Sequence, residues 1–176
     1  MVQNPSRLGP VVSVTGAALL ALSVFLPWYS VSITAGGAAY AQQALDSAAQ
    51  TYGNANLQAE ASAVSAQFAT LAGRHIATVS AHELLKTISV VLLVLAGVAF
   101  LGALLWLAEI SAPIQVDGGQ VAVVGSLAVL LVLFRMIDRP SASIDAFSLS
   151  LSWGIWLALL SSAATVAGAL VGRSAR

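Results

Sequence analysis

The chain contains no cysteine. That excludes a disulfide framework, a thiolate metal site and a cysteine nucleophile, and leaves the redox compartment unreadable from thiol usage. Charge is almost as scarce. Lys and Arg number 7 and Asp and Glu number 7, so only 8% of 176 residues are charged, against roughly 25% in a soluble domain. A water-facing surface cannot be assembled from so little. The net charge is zero, which leaves no basic face for nucleic acid. Two histidines, His75 and His82, are the whole imidazole inventory, and neither lies in a Ser-His-Asp or His-Glu-x-x-His pattern.

What fills the chain is aliphatic: 59% of residues are hydrophobic and the mean hydropathy is +0.91. Nothing charged lies between Arg7 and Asp46, Lys86 and Glu109, Asp117 and Arg135, or Asp145 and Arg173. Each window holds an apolar run near the roughly 20 residues that cross about 30 Å of hydrocarbon. The expected fold is an all-α integral membrane protein. Four antiparallel transmembrane helices at about 9–28, 82–108, 119–137 and 152–172 form one membrane domain over 1–176. The third span is the shortest and gains length if Arg135 snorkels. Arg7 and an Ala39-Tyr40-Ala41 segment have the parts of a cleavable signal, but the apolar run is long and a proline separates it from that segment. An uncleaved first helix is the better reading.

Orientation does not follow from charge. Arg7, Arg173 and Arg176 on the terminal side are matched by Arg74, Lys86, Arg135 and Arg139 on the loop side, so the positive-inside rule has no asymmetry to use. A long neutral loop is easier to translocate than to account for in the cytoplasm. The expected localisation is therefore the cell membrane, multi-pass, with both termini cytoplasmic.

After "FLPWYS" the pattern changes: Tyr29, Val31 and Ile33 alternate with Ser30, Ser32 and Thr34. The same period of two recurs at Phe147, Leu149 and Leu151 against Ser148, Ser150 and Ser152, and a shorter candidate is Arg74 to Ser80. Period-two alternation indicates half-buried strands. The expectation is a small extracytoplasmic β-sheet with the apolar rows sharing one face and the serines the other, the alternative being an irregular loop. Pro27 is expected to end the first helix, with Trp28, Tyr29, Trp153 and Trp156 at interfacial level.

Residues 38–72 read as an inserted helical hairpin. Leu57, Ala61, Val64, Phe68 and Leu71 form one apolar stripe, and Ala41, Leu45, Ala48 and Tyr52 another. Gly53-Asn54 is the turn between them and Gly73 the stop. The alternative is an Ala-rich linker. In helix four, Ala164, Gly168 and Gly172 make a small-residue ladder, and Ser13, Ala17 and Ala21 a weaker one in helix one. Such ladders let helices approach closely, inside one chain or toward a partner.

Few residues invite chemistry. Ser80-Ala81-His82-Glu83 reads as a capping box opening helix two, with Val79 and Leu84 as its staple; this accounts for Glu83 better than a metal site does. Arg135 and Asp138, three apart in "FRMIDRP", are the candidate intramembrane polar pair. They serve as an interfacial anchor or, alternatively, as a gating or anion site. Glu109 reads as a helix-end residue and Asp117-Gly118-Gly119 as the turn into helix three. No catalytic residue, cofactor or metal site is expected.

"FLPWYS", "SAHELLK", "FRMIDRP" and "WGIWLALLSSAATVAGAL" together resemble a family of small, uncharacterised four-helix membrane proteins of actinobacterial type. The resemblance covers the four helices and their junctions but not 38–72. It departs where that family usually has Trp in place of His82, and Tyr-Arg-x-Ile-Asp-x-Pro in the third motif. It implies the fold and no activity. The layout is also similar in form to the claudin type, without that group's Gly-Leu-Trp motif or paired cysteines.

The expected function is that of a non-enzymatic integral membrane protein acting through protein–protein interaction, as an accessory subunit, scaffold or homo-oligomer. Its partners would be membrane lipid and other membrane proteins or itself, with no nucleic acid. The alternatives are a small transporter or channel using Arg135 and Asp138, and an extracytoplasmic ligand sensor.

Overall fold

The structure is a computed structural model that describes residues 5–52, 55–108, 117–138 and 146–174. It divides into two units: Met1–Trp28 with Val79–Asp138 and Ser152–Arg176, and Tyr29–Thr78 with Arg139–Leu151.

The first unit is helical. It contains α1 (Pro5–Ser23), the single turn α4 (Ala81–Leu84), α5 (Lys86–Leu107), α6 (Gly118–Ile137) and α7 (Trp153–Ser174). Three of these, α5, α6 and α7, are long and apolar enough to cross a membrane. In α1 the apolar stretch runs only over Arg7–Ser23, so the expected fourth span comes out shorter than its 9–28 window.

The reason lies at Pro27. A proline lacks the N–H that would bond the carbonyl four residues back, and its ring clashes with that carbonyl. The helix therefore stops at Ser23, four residues before the proline. Three carbonyls at its end are then given donors. The Phe25 N–H bonds Leu22 O at 3.1 Å and the Leu26 N–H bonds Ser23 O at 3.2 Å. Trp28 Nε1 also donates to Ser23 O, at 2.7 Å, and the His82 N–H donates to Val24 O at 3.3 Å. Trp28 is fully buried in this role. Trp153 and Trp156 are about half exposed.

The helices present small residues inward and large ones outward. On α5 the buried positions are Ser89, Leu92, Ala96, Ala99, Ala103 and Trp106, alternating three and four apart as in a coiled-coil seam. On α6 Gly118, Val121, Gly125, Ala128 and Val132 do the same, with Ala122 buried beside Val121. The exposed positions are Val94, Val98, Leu101, Val123, Leu127 and Leu130 among others. That inversion of a soluble core suits a lipid solvent, where close backbone approach replaces the hydrophobic effect as the packing force.

Packing is tightest between α1 and α7, which run antiparallel. A Cβ added at Gly168 would lie 2.7 Å from Gly9 O and from Ser13 N, and one at Gly16 would lie 2.8 Å from Ser161 O. Ser13 Oγ donates across the contact to Thr165 O at 3.1 Å. Gly118 lies against the α7 backbone at Ala169 and beside the Trp106 ring. The α1 seam is thus Gly9, Ser13, Gly16, Ala17 and Leu20, whereas Ala21 of the expected ladder is half-buried.

The expected second helix, 82–108, is in fact two. Leu85, at φ −128° and ψ 56°, separates α4 from α5. The Ala81 carbonyl spans the break, accepting from the Leu85 N–H and from Ser89 Oγ, at 2.8 and 2.7 Å.

The second unit holds most of a three-stranded sheet in the order β2–β1–β3, from β1 (Pro27–Ile33), β2 (His75–Ser80) and β3 (Phe147–Leu151). β1 and β3 pair antiparallel, with Tyr29 opposite Leu151, Val31 opposite Leu149 and Ile33 opposite Phe147. The apolar rows share a face, as the alternation predicts. Burial does not follow that face: Ser32 is buried and Val31 only half so. The serine row runs from buried Ser32 to exposed Ser148.

Two helices fill the region read as a hairpin: α2 (Ala35–Tyr52) and α3 (Ala55–Leu71), packed on each other. Thr34 caps α2, its Oγ1 accepting the Gly37 N–H at 2.9 Å, a role suited to a hydroxyl residue. Gly73, at φ +77°, is left-handed, where an L side chain is strained. It follows α3 as a C-terminal glycine does, with the Arg74 N–H on Leu71 O at 3.0 Å. The stripes match expectation in part. On α2 Ala41 and Leu45 are half-buried, but Ala49 is buried and Ala48 exposed; on α3 Ala61 is buried as expected, but Ser65 is buried and Val64 exposed. The Gly53-Asn54 turn, Glu109, Arg139 and Pro140 lie outside the described residues.

Candidate functional site

The residues singled out by sequence fall into three places. Gly168 and Gly172 are buried, facing Gly9 of α1, and Gly172 also meets the Trp106 ring. Ala164 is half-buried. Their smallness is used within the chain. On α3, Val64 and Leu71 are more than a third exposed, and the side chains of Leu57 and Phe68 lie outside the described residues.

Arg135 and Asp138 are brought together at the end of α6. Asp138 is the C-cap, its N–H bonding Phe134 O at 2.7 Å. Arg135 Nη1 donates to the Asp138 carbonyl at 3.1 Å and to Oδ2 at 3.3 Å. A cation in the last turn complements the helix dipole and satisfies terminal carbonyls. The Arg135 side chain is 14% exposed and that of Asp138 61%. Solvent at the carboxylate keeps the ion pair in the surface range, up to about 1 kcal/mol.

Arg135 also borders a cleft of about 430 Å³ whose other wall is the segment 83–88. This segment contains the break at Leu85, so Lys86 and Thr87 open α5, and no side chain caps its first turn. Both are exposed. Neither was marked as a helix start, because a continuous helix through 82–108 hides the new N-terminus.

At the head of that segment the capping box is present in full. Glu83 Oε2 accepts from the Ser80 N–H and from Ser80 Oγ, both at 3.0 Å. The Glu83 N–H returns a bond to Ser80 Oγ at 3.3 Å. The backbone bond, then the hydroxyl bond, then nearby His82 hold the Glu83 carboxyl below its ordinary pKa. The box closes the one-turn α4, not the long helix expected behind it. His82 instead sets its ring against Phe25, centroids 5.6 Å apart. No cluster of three metal-ligating side chains exists among the described residues.

The buried hydroxyls of the helical unit are committed to backbone carbonyls. Ser23 donates to Leu20 O, Ser89 to Ala81 O, Ser162 to Leu159 O and Thr165 to Ser161 O, at 2.6 to 2.9 Å, and Ser161 donates to Leu157 O. Their chemistry is helix packing.

Comparison with family models, curated proteins and solved structures returned no match. The likeness of the four junction motifs remains a resemblance, and no activity enters through it.

Proposed function

We propose that the chain is a non-enzymatic, multi-pass membrane protein that works through protein–protein interaction, as an accessory subunit, scaffold or homo-oligomer. In this reading α1 is the fourth span, the termini are cytoplasmic, and the segment between the first two spans is extracytoplasmic and meets partners. The observation that carries it is the use of the helical interior. Glycines, alanines and backbone-bonded hydroxyls fill it from Gly9 to Gly172, leaving these groups to packing. The close contact of α1 with α7, from Gly9–Gly172 to Gly16–Ser161, supports reading α1 as a span beside it. Its 19 residues extend about 28 Å, close to a hydrocarbon thickness of about 30 Å. The Arg135–Asp138 pair lies in the last turn of α6, away from the midplane where transporters bind substrate.

The test uses the full chain in mild detergent, with Val64→Ser/Leu71→Ser as the comparison. The expected result is a stoichiometric partner, or a defined oligomer, that the double variant loses while its helix content stays unchanged. A monomer with no stoichiometric partner would overturn the reading. Reporter fusions after Arg176 and within 46–72 should report opposite sides; the same side for both would remove the fourth span.

A further inference from the structure

We propose that the cleft between Arg135 and the start of α5 binds the phosphate group of a phospholipid headgroup. It lies where two candidate spans meet their ends, the first residue of α5 and the last turn of α6. In a bilayer, helix ends lie near the lipid phosphates, and Lys and Arg side chains bind phosphate through charge-assisted hydrogen bonds. Two cations from different helices, Lys86 and Arg135, line the same 430 Å³ space, with Thr87 between α5's first and third residues. The guanidinium is held in place: its Nη1 is fixed by the Asp138 carbonyl and carboxylate, so little rotamer freedom is lost on binding. Lys86 is the mobile, exposed counterpart, a flexible ammonium on a four-carbon stem. No side chain caps the first turn of α5, whose residues 86–88 line the cleft.

Two carboxylates lie nearby and set the specificity. Asp138 is bonded to Arg135 and Glu83 to Ser80. Glu83 lines the cleft itself. The local charge is therefore balanced, and the site reads phosphate by its donors and not by a strong positive field. Headgroup charge beyond the phosphate should matter little, and removal of the phosphate should matter much.

The inference rests on α5 and α6 crossing a bilayer. The experiment is native mass spectrometry of the full chain in a neutral detergent. It compares dioleoylphosphatidylglycerol with dioleoylglycerol, which has the same acyl chains and no phosphate. The phospholipid is expected to bind about tenfold more tightly, the scale of one charge-assisted hydrogen bond. Lys86→Gln should erase most of that difference and Lys86→Arg restore it. Because Lys86 is exposed, these variants should fold even if Arg135→Gln does not. Inorganic phosphate distinguishes the sources. Competition at millimolar concentration assigns the site to free phosphate as well, and no competition assigns it to the lipid alone. Equal binding of the two lipids, or a difference unmoved by Lys86→Gln, overturns the site. A chain that stays soluble without detergent overturns instead the membrane reading beneath it.

Discussion

Two glycine-to-alanine substitutions should change stability unequally. Gly97 on α5 has no heavy atom within 4 Å of where a Cβ would be, whereas at Gly168 the Cβ would lie 2.7 Å from Gly9 O, Ser13 N and Ser13 Oγ. Ordinary contact begins at 3.4 Å, so at Gly168 two backbones must separate by about 0.7 Å, or one helix must shift, and a side-chain rotation cannot relieve the clash. Overpacking of this kind costs about 1–3 kcal/mol. The gain from replacing a helical glycine by alanine, up to about 1 kcal/mol, is common to both sites and cancels in the comparison. Gly97→Ala should therefore match or exceed the wild type, with Gly168→Ala lower by about 1–3 kcal/mol. Unfolding by SDS in mixed micelles, followed by circular dichroism, reads the difference directly. Equal stability of the two variants would refute the close α1–α7 contact, and with it the argument for α1 as a span.

Three further outcomes are expected. Trp28→Phe should destabilise the helical unit by about 0.5–1.5 kcal/mol through the lost bond to Ser23 O, and Trp28→Ala by about 3–5 kcal/mol; wild-type stability in Trp28→Phe would show that the indole does not close α1. Ser80→Ala and Glu83→Gln should each lower stability at neutral pH. Because the Glu83 carboxyl is held below its ordinary value of 4.5, the cap's contribution is complete above that value and is lost as pH falls through the depressed pKa. The gap between wild type and Glu83→Gln should then close only in acid, and a gap that changes between pH 6 and 8 would contradict the assignment. A Val31→Cys/Leu149→Cys pair should oxidise to a disulfide, since directly opposed strand residues lie within bonding range and the chain has no other cysteine. Ser32→Cys/Leu149→Cys, on opposite faces, should not.

The apolar windows were legible because charge is so rare that eight of the 14 charged residues bound all four of them. The Arg135–Asp138 bond was legible too, since a spacing of three on a helix places the two side chains together. What was hidden is which helix face turns inward. In a segment apolar on every side, hydrophobic contrast carries no phase. The spacing of small residues does: Ser89, Ala96, Ala99 and Ala103 on α5, and Gly118, Ala122, Gly125 and Ala128 on α6, are the buried faces. The hairpin stripes slipped for a related reason. Segments of Ala, Gln and Ser offer an alanine to nearly every face, so Ala48 and Ala49 cannot be told apart until a neighbour is present. Lys86 and Thr87 stayed hidden because the break at Leu85 has neither glycine nor proline to announce it.

The handover from helix to strand after α1 shows how a local rule acts at a distance. Pro27 was expected to end the helix where it stands. Its effect is felt at Ser23, because the donor a proline lacks is owed to the carbonyl four residues earlier. An orphan carbonyl buried there would cost roughly 1–3 kcal/mol, so the end of α1 needs other donors. The Leu26 N–H supplies one at 3.2 Å, and Trp28 adds a second from its side chain, with its indole buried. The carbonyl of the same residue accepts the Ser152 N–H at 2.8 Å, beside the β1–β3 ladder. One residue therefore closes the helix with its ring while its backbone continues the strand. Alternation in 29–33 could indicate the register of that strand and nothing of its burial, because Ser32 and Trp28 are covered for reasons that lie outside the strand's own pattern.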